Sequence, residues 1–143
     1  QHMLQKHDSS KQTELFDLSS GLPNFKESPT LIASNFALHW LPKPHETLKE
    51  WFTALAPQGW LAIALPVKGS FPEWHEAAKN ANVNCTALPF PSHKLITNGL
   101  KAKNIKLNKL ESFTQQAPKI NSLLKPLVTV GGHSTPFSSL TIE

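Results

Sequence analysis

One stretch narrows the choice of fold more than any other. From Thr30 to Val67 the chain reads TLIASNFALHWLPKPHETLKEWFTALAPQGWLAIALPV. Thr30 to Ser34 is a short, almost unbroken apolar run, the pattern of a strand in a sheet covered on both faces. From His45 the period changes: Leu48, Trp51, Phe52 and Leu55 fall at helical spacing, with Lys49, Glu50 and Thr53 on the other side. That is an amphipathic helix. Ala56-Pro57-Gln58-Gly59 ends it, because Pro cannot continue the helix and Gly accepts positive φ. Trp60 to Val67 follows at once as a second apolar strand. Strand, helix, tight turn and strand make a βαβ unit, which predicts a parallel, right-handed crossover and an α/β class.

The first strand ends on a polar pair, Ser34-Asn35, before the chain turns apolar again around His39. In open α/β sheets, ligands bind in the crevice beyond the carboxyl ends of the strands. A Ser-Asn pair at that end is placed to meet a ligand, and it equally suits a plain turn.

Several function classes lose ground on composition. The net charge is +4 and the pI about 9.3, yet the 14 basic residues are all Lys. Without Arg, and without a basic stripe interleaved with aromatics, a nucleic-acid reading is disfavoured. A mild basic bias would suit an acidic partner. Cys85 is alone, so it forms neither an internal disulfide nor a zinc pair, which points to a reducing, cytoplasmic setting. No apolar run nears the roughly 18 residues of a membrane span. His75, His93 and His133 have no metal-ligand spacing, so no metal is expected.

Elsewhere the pattern is less regular. Met3 to His7 reads as the tail of a helix, Glu14 to Leu18 as a short strand, and Ser19 to Pro29, with Gly21, Pro23 and Pro29, as loop. Glu73 to Asn82 reads as helix, and Ser92 as the cap of another reaching Ala102. Ile105 to Gln116 alternates apolar and polar residues like a half-exposed strand, and Pro118 to Leu127 restarts helix with Pro in its first turn.

The run TLIASNFALHWL, the amphipathic helix and LAPQGWLAIALP together resemble the strand 4, helix, strand 5 segment of class I S-adenosylmethionine-dependent methyltransferases. HMLQKH is similar to the helix after strand 2 of that family, and FDLSSGLP to its strand 3 segment. PVKGSFPEW and LLKPLVTVGGHS resemble the biotin-synthesis branch, the malonyl-acyl-carrier-protein O-methyltransferases. The resemblance implies a Rossmann-like fold, partial here. The glycine-rich loop after strand 1 has no counterpart, so strands 1 and 2 are expected to be missing, and the last strand is expected to be missing as well. The chain alone is then expected to bind S-adenosylmethionine poorly and to be inactive.

What the resemblance implies about residues is specific. Met3, Asp17, Leu18, Ser34, Asn35 and Phe36 would contact the cofactor: Met3 and Asp17 at the adenine end, Ser34 to Phe36 at the methionine end. The methyl acceptor would be a carboxylate, on a malonyl-loaded acyl carrier protein or a small molecule, with residues 69–104 as acceptor-side lid and helices. Lys68, Ser70, Phe71 and Lys94 would face the acceptor, and His39 would orient it or wall the pocket. Trp40 is expected in the core. A methyltransferase for another small molecule, such as a quinone precursor, and a non-catalytic remnant or interaction module remain as alternatives. The family strand order 3-2-1-4-5-7-6 predicts that Leu31 to Ser34 pairs in parallel with Leu61 to Leu65, and that Glu14 to Leu18 has no parallel neighbour within this chain.

Overall fold

The computed structural model describes residues 13–98 and 100–129. Met3 with its expected helix, the Gly131-Gly132-His133 stretch and the segment beyond it lie outside the described residues. The chain forms two compact units: the first runs through Val67 and takes up Pro91–Leu100, while the second holds Lys68–Phe90 and continues from Lys101. The expected lid, residues 69–104, is thus divided between them.

The βαβ unit forms as its pattern predicts. Strand β1 (Leu31–Asn35) leads through a 3-10 turn, Leu38–Trp40, into helix α1 (Pro44–Ala54), and strand β2 (Trp60–Ala64) returns beside β1. Pro44 starts α1 at a position where a missing amide costs nothing. The strands pair in parallel, with Leu31 opposite Trp60 and Ser34 opposite Ile63. This places β2 one residue earlier than the register expected. Backbone bonds extend the ladder at both ends: Trp60 N donates to Thr30 O at 2.8 Å and Phe36 N to Ala64 O at 2.8 Å.

The connecting turn divides its burden between two residues. Gln58 takes the left-handed conformation, φ 65°, at about 1–2 kcal/mol for a side chain with a Cβ. Gly59 answers a different need: a Cβ there would lie 2.9 Å from the Ala56 carbonyl oxygen and 3.2 Å from that of Thr30. It is absence of bulk, rather than positive φ, that Gly59 supplies.

Helix α1 packs on the sheet and on α3 (His93–Thr97). Leu38, Leu48, Trp51 and Ile96 form the buried centre, with Ile32, Leu61, Ile63 and Leu65 packed partly against it. Burying each of these large side chains stabilises the unit by about 1.5–3 kcal/mol. Ser92 caps α3 as expected, its Oγ accepting from Leu95 N at 3.1 Å. The helix is shorter than read: it ends at Thr97, and only a 3-10 turn, Ala102–Asn104, follows.

Four expectations are corrected. Neither strand is covered on both faces: burial alternates along β1 and β2, so Ile32, Ser34, Leu61 and Ile63 face the core while Leu31 and Trp60 are exposed. A two-stranded sheet with a helix on one side cannot cover the other. Glu14 to Leu18 is no strand; residues 13–17 are irregular and Leu18–Ser20 is a 3-10 turn. Ile105 to Gln116 is also irregular, since alternation makes a strand only where a ladder partner satisfies the backbone, and none exists among the described residues. The last helix, α4 (Ile120–Thr129), starts two residues after Pro118 and carries Pro126 inside it. Between these, α2 (Pro72–Asn80) matches its expected helix closely. The expected lack of a parallel neighbour for Glu14 to Leu18 holds among the described residues, where β1 and β2 pair only with each other.

Candidate functional site

At the carboxyl end of β1 strand alternation sends Ser34 and Asn35 to opposite faces. Ser34 shares the covered face with Ile32, and its Oγ is buried without a hydrogen-bond partner among the described residues. Asn35 stands exposed on the open face. The sequence pair is therefore two separate features, one facing the core and one facing outward.

Phe36 comes next, with φ 53° and 59% of its surface exposed. A left-handed phenylalanine is a strained residue, costing about 1–3 kcal/mol, and such residues gather at binding and catalytic sites. Its amide bond to Ala64 O holds that conformation from the strand side. From the other side its ring meets His39 edge-on, with centroids 6.3 Å apart and planes at 88°. His39 in turn lies tilted against Trp40 at 5.0 Å. Of the three rings only His39 is buried, at 7% exposure, and burial lowers its pKa by disfavouring the charged form. Trp40, expected in the core, is 45% exposed. The 3-10 turn tucks Leu38 and His39 inward and leaves its last residue outside.

A separate groove of about 190 Å³ runs between the Leu18–Ser20 turn and the first turns of α1, lined by Leu18, Ser19, Gly21, Lys43, Glu46 and Glu50 among others. Asp17 caps this turn, its Oδ1 accepting from Ser19 N at 2.9 Å, and hydrogen bonds from Ser19 lower its pKa. Lys43 is paired to Glu46 at 3.0 Å. Helical spacing puts Glu50 on the side of α1 opposite Leu48 and Trp51. Only the packing of residues 18–21 against α1 makes it a groove wall, and no spacing in the sequence announces that.

The other expected site residues are dispersed. Lys94 is exposed on α3 in the first unit, whereas Lys68, Ser70 and Phe71 belong to the second. Phe71 is left-handed too, φ 56°, immediately before α2, and its ring lies 6.1 Å from that of Phe90. Among the described residues no three His, Cys, Asp or Glu side chains converge as metal ligands would, and no helix is long and apolar enough to cross a membrane.

Residues 2–63 match the family model described as a methyltransferase domain. Trans-aconitate 2-methyltransferase of Mycobacterium tuberculosis (strain ATCC 25177 / H37Ra) is 35% identical over 83 residues, covering 56% of this chain and 30% of that protein. The trans-aconitate 2-methyltransferase of Variovorax paradoxus (strain S110) is 42% identical over 53 residues, 37% of this chain and 20% of that protein. The chain thus spans less than a third of the length of these relatives. No solved structure matches it. The family match takes in β1, α1 and most of β2, so the parallel unit lies within the part of the chain that is similar to methyltransferases. The relatives named do not include a malonyl-acyl-carrier-protein methyltransferase, so biotin synthesis gains no support from them.

The end of β1 presents two exposed side chains side by side. Asn35 offers an exposed amide that both donates and accepts, and Phe36 an exposed ring. Asp17 is held in the turn by Ser19, whose backbone N donates to Oδ1.

Proposed function

We propose that the protein transfers a methyl group from S-adenosylmethionine to a carboxylate oxygen of a small carboxylate, with trans-aconitate, the substrate in its relatives' names, as the first candidate. The observation that carries this reading is the parallel β1-α1-β2 unit ending on an exposed amide and a strained aromatic ring. S-adenosylmethionine supplies a methyl carbon already activated by its sulfonium. A carboxylate oxygen takes that carbon, the carbon–sulfur bond electrons stay on sulfur, and the products are a methyl ester and a neutral thioether. A carboxylate is ionised at neutral pH, so no general base is required. The protein's work is alignment of oxygen, carbon and sulfur, together with exclusion of water.

In this reading Asn35 orients the methionine end, Phe36 walls it, and Leu18 with Asp17 holds the adenine end. His39, buried behind the Phe36 ring, supports the wall rather than moving a proton. Lys94 and Lys68 are the candidates for countering the acceptor's charge, since the chain has no Arg. A malonyl thioester on an acyl carrier protein is the second acceptor, favoured by the likeness of PVKGSFPEW to that branch.

The test uses the protein with any sequence its gene encodes beyond residues 1–143. It is incubated with methyl-labelled S-adenosylmethionine and either trans-aconitate or malonyl-acyl carrier protein. Label released as methanol by mild alkali marks a carboxyl ester and identifies the acceptor. Label lodged only in alkali-stable products would refute carboxylate methylation.

A further inference from the structure

The most basic stretch of the chain lies in the second unit, between α3 and α4. Lys101 to Lys109 reads KAKNIKLNK, with lysine at 101, 103, 106 and 109 and no carboxylate; the flanking acids in sequence are Glu76 and Glu111. Glu111 pairs with Lys109, whereas Lys101, Lys103 and Lys106 are exposed and enter no ion pair among the described residues. Large apolar side chains stand among these cations: Leu107 is 81%, Leu110 64% and Phe113 88% exposed. Lysines alone make a solvated face. Lysines interleaved with exposed leucine and phenylalanine suit a partner that is both negative and apolar. Nucleic acid offers the charge without an apolar interior, and with no Arg the chain lacks the bidentate phosphate contact. A protein groove would have to match a backbone that is irregular from 105 to 116. An anionic bilayer needs no matching shape: its headgroups attract each lysine as a point charge, and its acyl boundary takes in leucine and phenylalanine.

We infer that residues 101–113 are a membrane-docking segment that holds the protein on bilayers rich in anionic phospholipid, with Lys101, Lys103 and Lys106 at the headgroups and Leu107, Leu110 and Phe113 in the acyl boundary. This contact lies on the surface and needs no spanning helix; none is found among the described residues. Docking of this kind holds the protein at a membrane whether or not it transfers methyl groups.

The test is co-sedimentation with lipid vesicles, using the protein with any sequence its gene encodes beyond residues 1–143. It is expected to bind vesicles of equimolar phosphatidylglycerol and phosphatidylcholine but not phosphatidylcholine alone, and binding should weaken as salt rises. Lys101→Gln, Lys103→Gln and Lys106→Gln together should lower the partition constant about a hundredfold, at about five-fold per lysine. Lys26→Gln, Lys49→Gln and Lys79→Gln remove the same charge elsewhere and should lower it by less than about tenfold. Leu107→Ser with Phe113→Ser should lower it by about tenfold or more, because both side chains then lose the acyl boundary. Circular dichroism checks that each variant is folded. Equal losses from the two lysine triples, binding untouched by the serines, or failure of the unsubstituted protein to bind the charged vesicles would overturn the docking segment.

Discussion

Two regions of this chain carry similar local signals and end differently. Leu31–Asn35 and Ile105 to Gln116 are both rich in strand-forming alternation or apolar runs, yet the first is a paired strand and the second is irregular. The β1 segment has its partner one helix away, so the crossover that pairs β1 with β2 is encoded within a single stretch, and α1 covers the face so formed. The later segment has no ladder partner among the described residues, and Leu107 and Phe113 stand 81% and 88% exposed. Apolar pattern alone therefore does not make a strand; it needs satisfied backbone and a face to bury.

The sharpest way to break this comparison is to truncate one large side chain in each region. Trp51→Ala empties the centre of the first unit and is expected to cost about 3–5 kcal/mol in chemical denaturation. Phe113→Ala should stay within about 0.5 kcal/mol, as at any exposed site. A comparable loss at Phe113 would show that the second region buries its alternating residues after all.

The β1-α1-β2 turn offers the next effect. Gly59→Ala forces a Cβ against two backbone oxygens and one neighbouring Cβ, and is expected to cost about 2 kcal/mol or more, read as a lowered denaturation midpoint. Gln58→Gly should move stability the other way, by roughly 0.5–1 kcal/mol, because it removes left-handed strain at some cost in chain entropy. Were the two substitutions to act alike, the division of roles in this turn would be wrong.

A smaller change concerns α3, which completes the core from a distant part of the sequence. Ser92→Ala removes the acceptor for Leu95 N and should cost about 1 kcal/mol, detectable as a modest fall in thermal midpoint.

His39 adds a pH signature confined to the first unit. Its pKa is depressed by burial, so the unfolded chain binds the proton more readily than the folded one. Stability should then be complete above the ordinary value of 6.5 and should fall as pH drops below it toward the lowered folded value. In His39→Gln that part of the slope should vanish, and an unchanged slope would assign it to another group. Asp17 has the opposite ionisation and the same direction: its lowered pKa gives a contribution present above its ordinary pKa and lost on acidification, localised to the Leu18–Ser20 turn.

Much of the first unit was legible because its determinants are short in range. The helical spacing of Leu48, Trp51, Phe52 and Leu55 fixed the buried face of α1, the Pro-Gln-Gly turn required β2 to run parallel to β1, and Ser92 announced its cap. The polar end of β1, Ser34-Asn35, was also legible as a place for a ligand, while Phe36 came only with the family resemblance. What remained hidden depends on groups far apart in the chain. Only tertiary structure decided that one sheet face is bare, since a strand's sequence cannot count the layers above it. Packing also set Glu50 at a groove beside Leu18, whereas the Asp17 cap is local, a bond from Ser19 N two residues on. And only the backbone path showed Phe36 in a left-handed conformation with His39 buried behind it, because φ at a non-glycine residue is imposed by the ladder and the core around it rather than chosen by the residue itself.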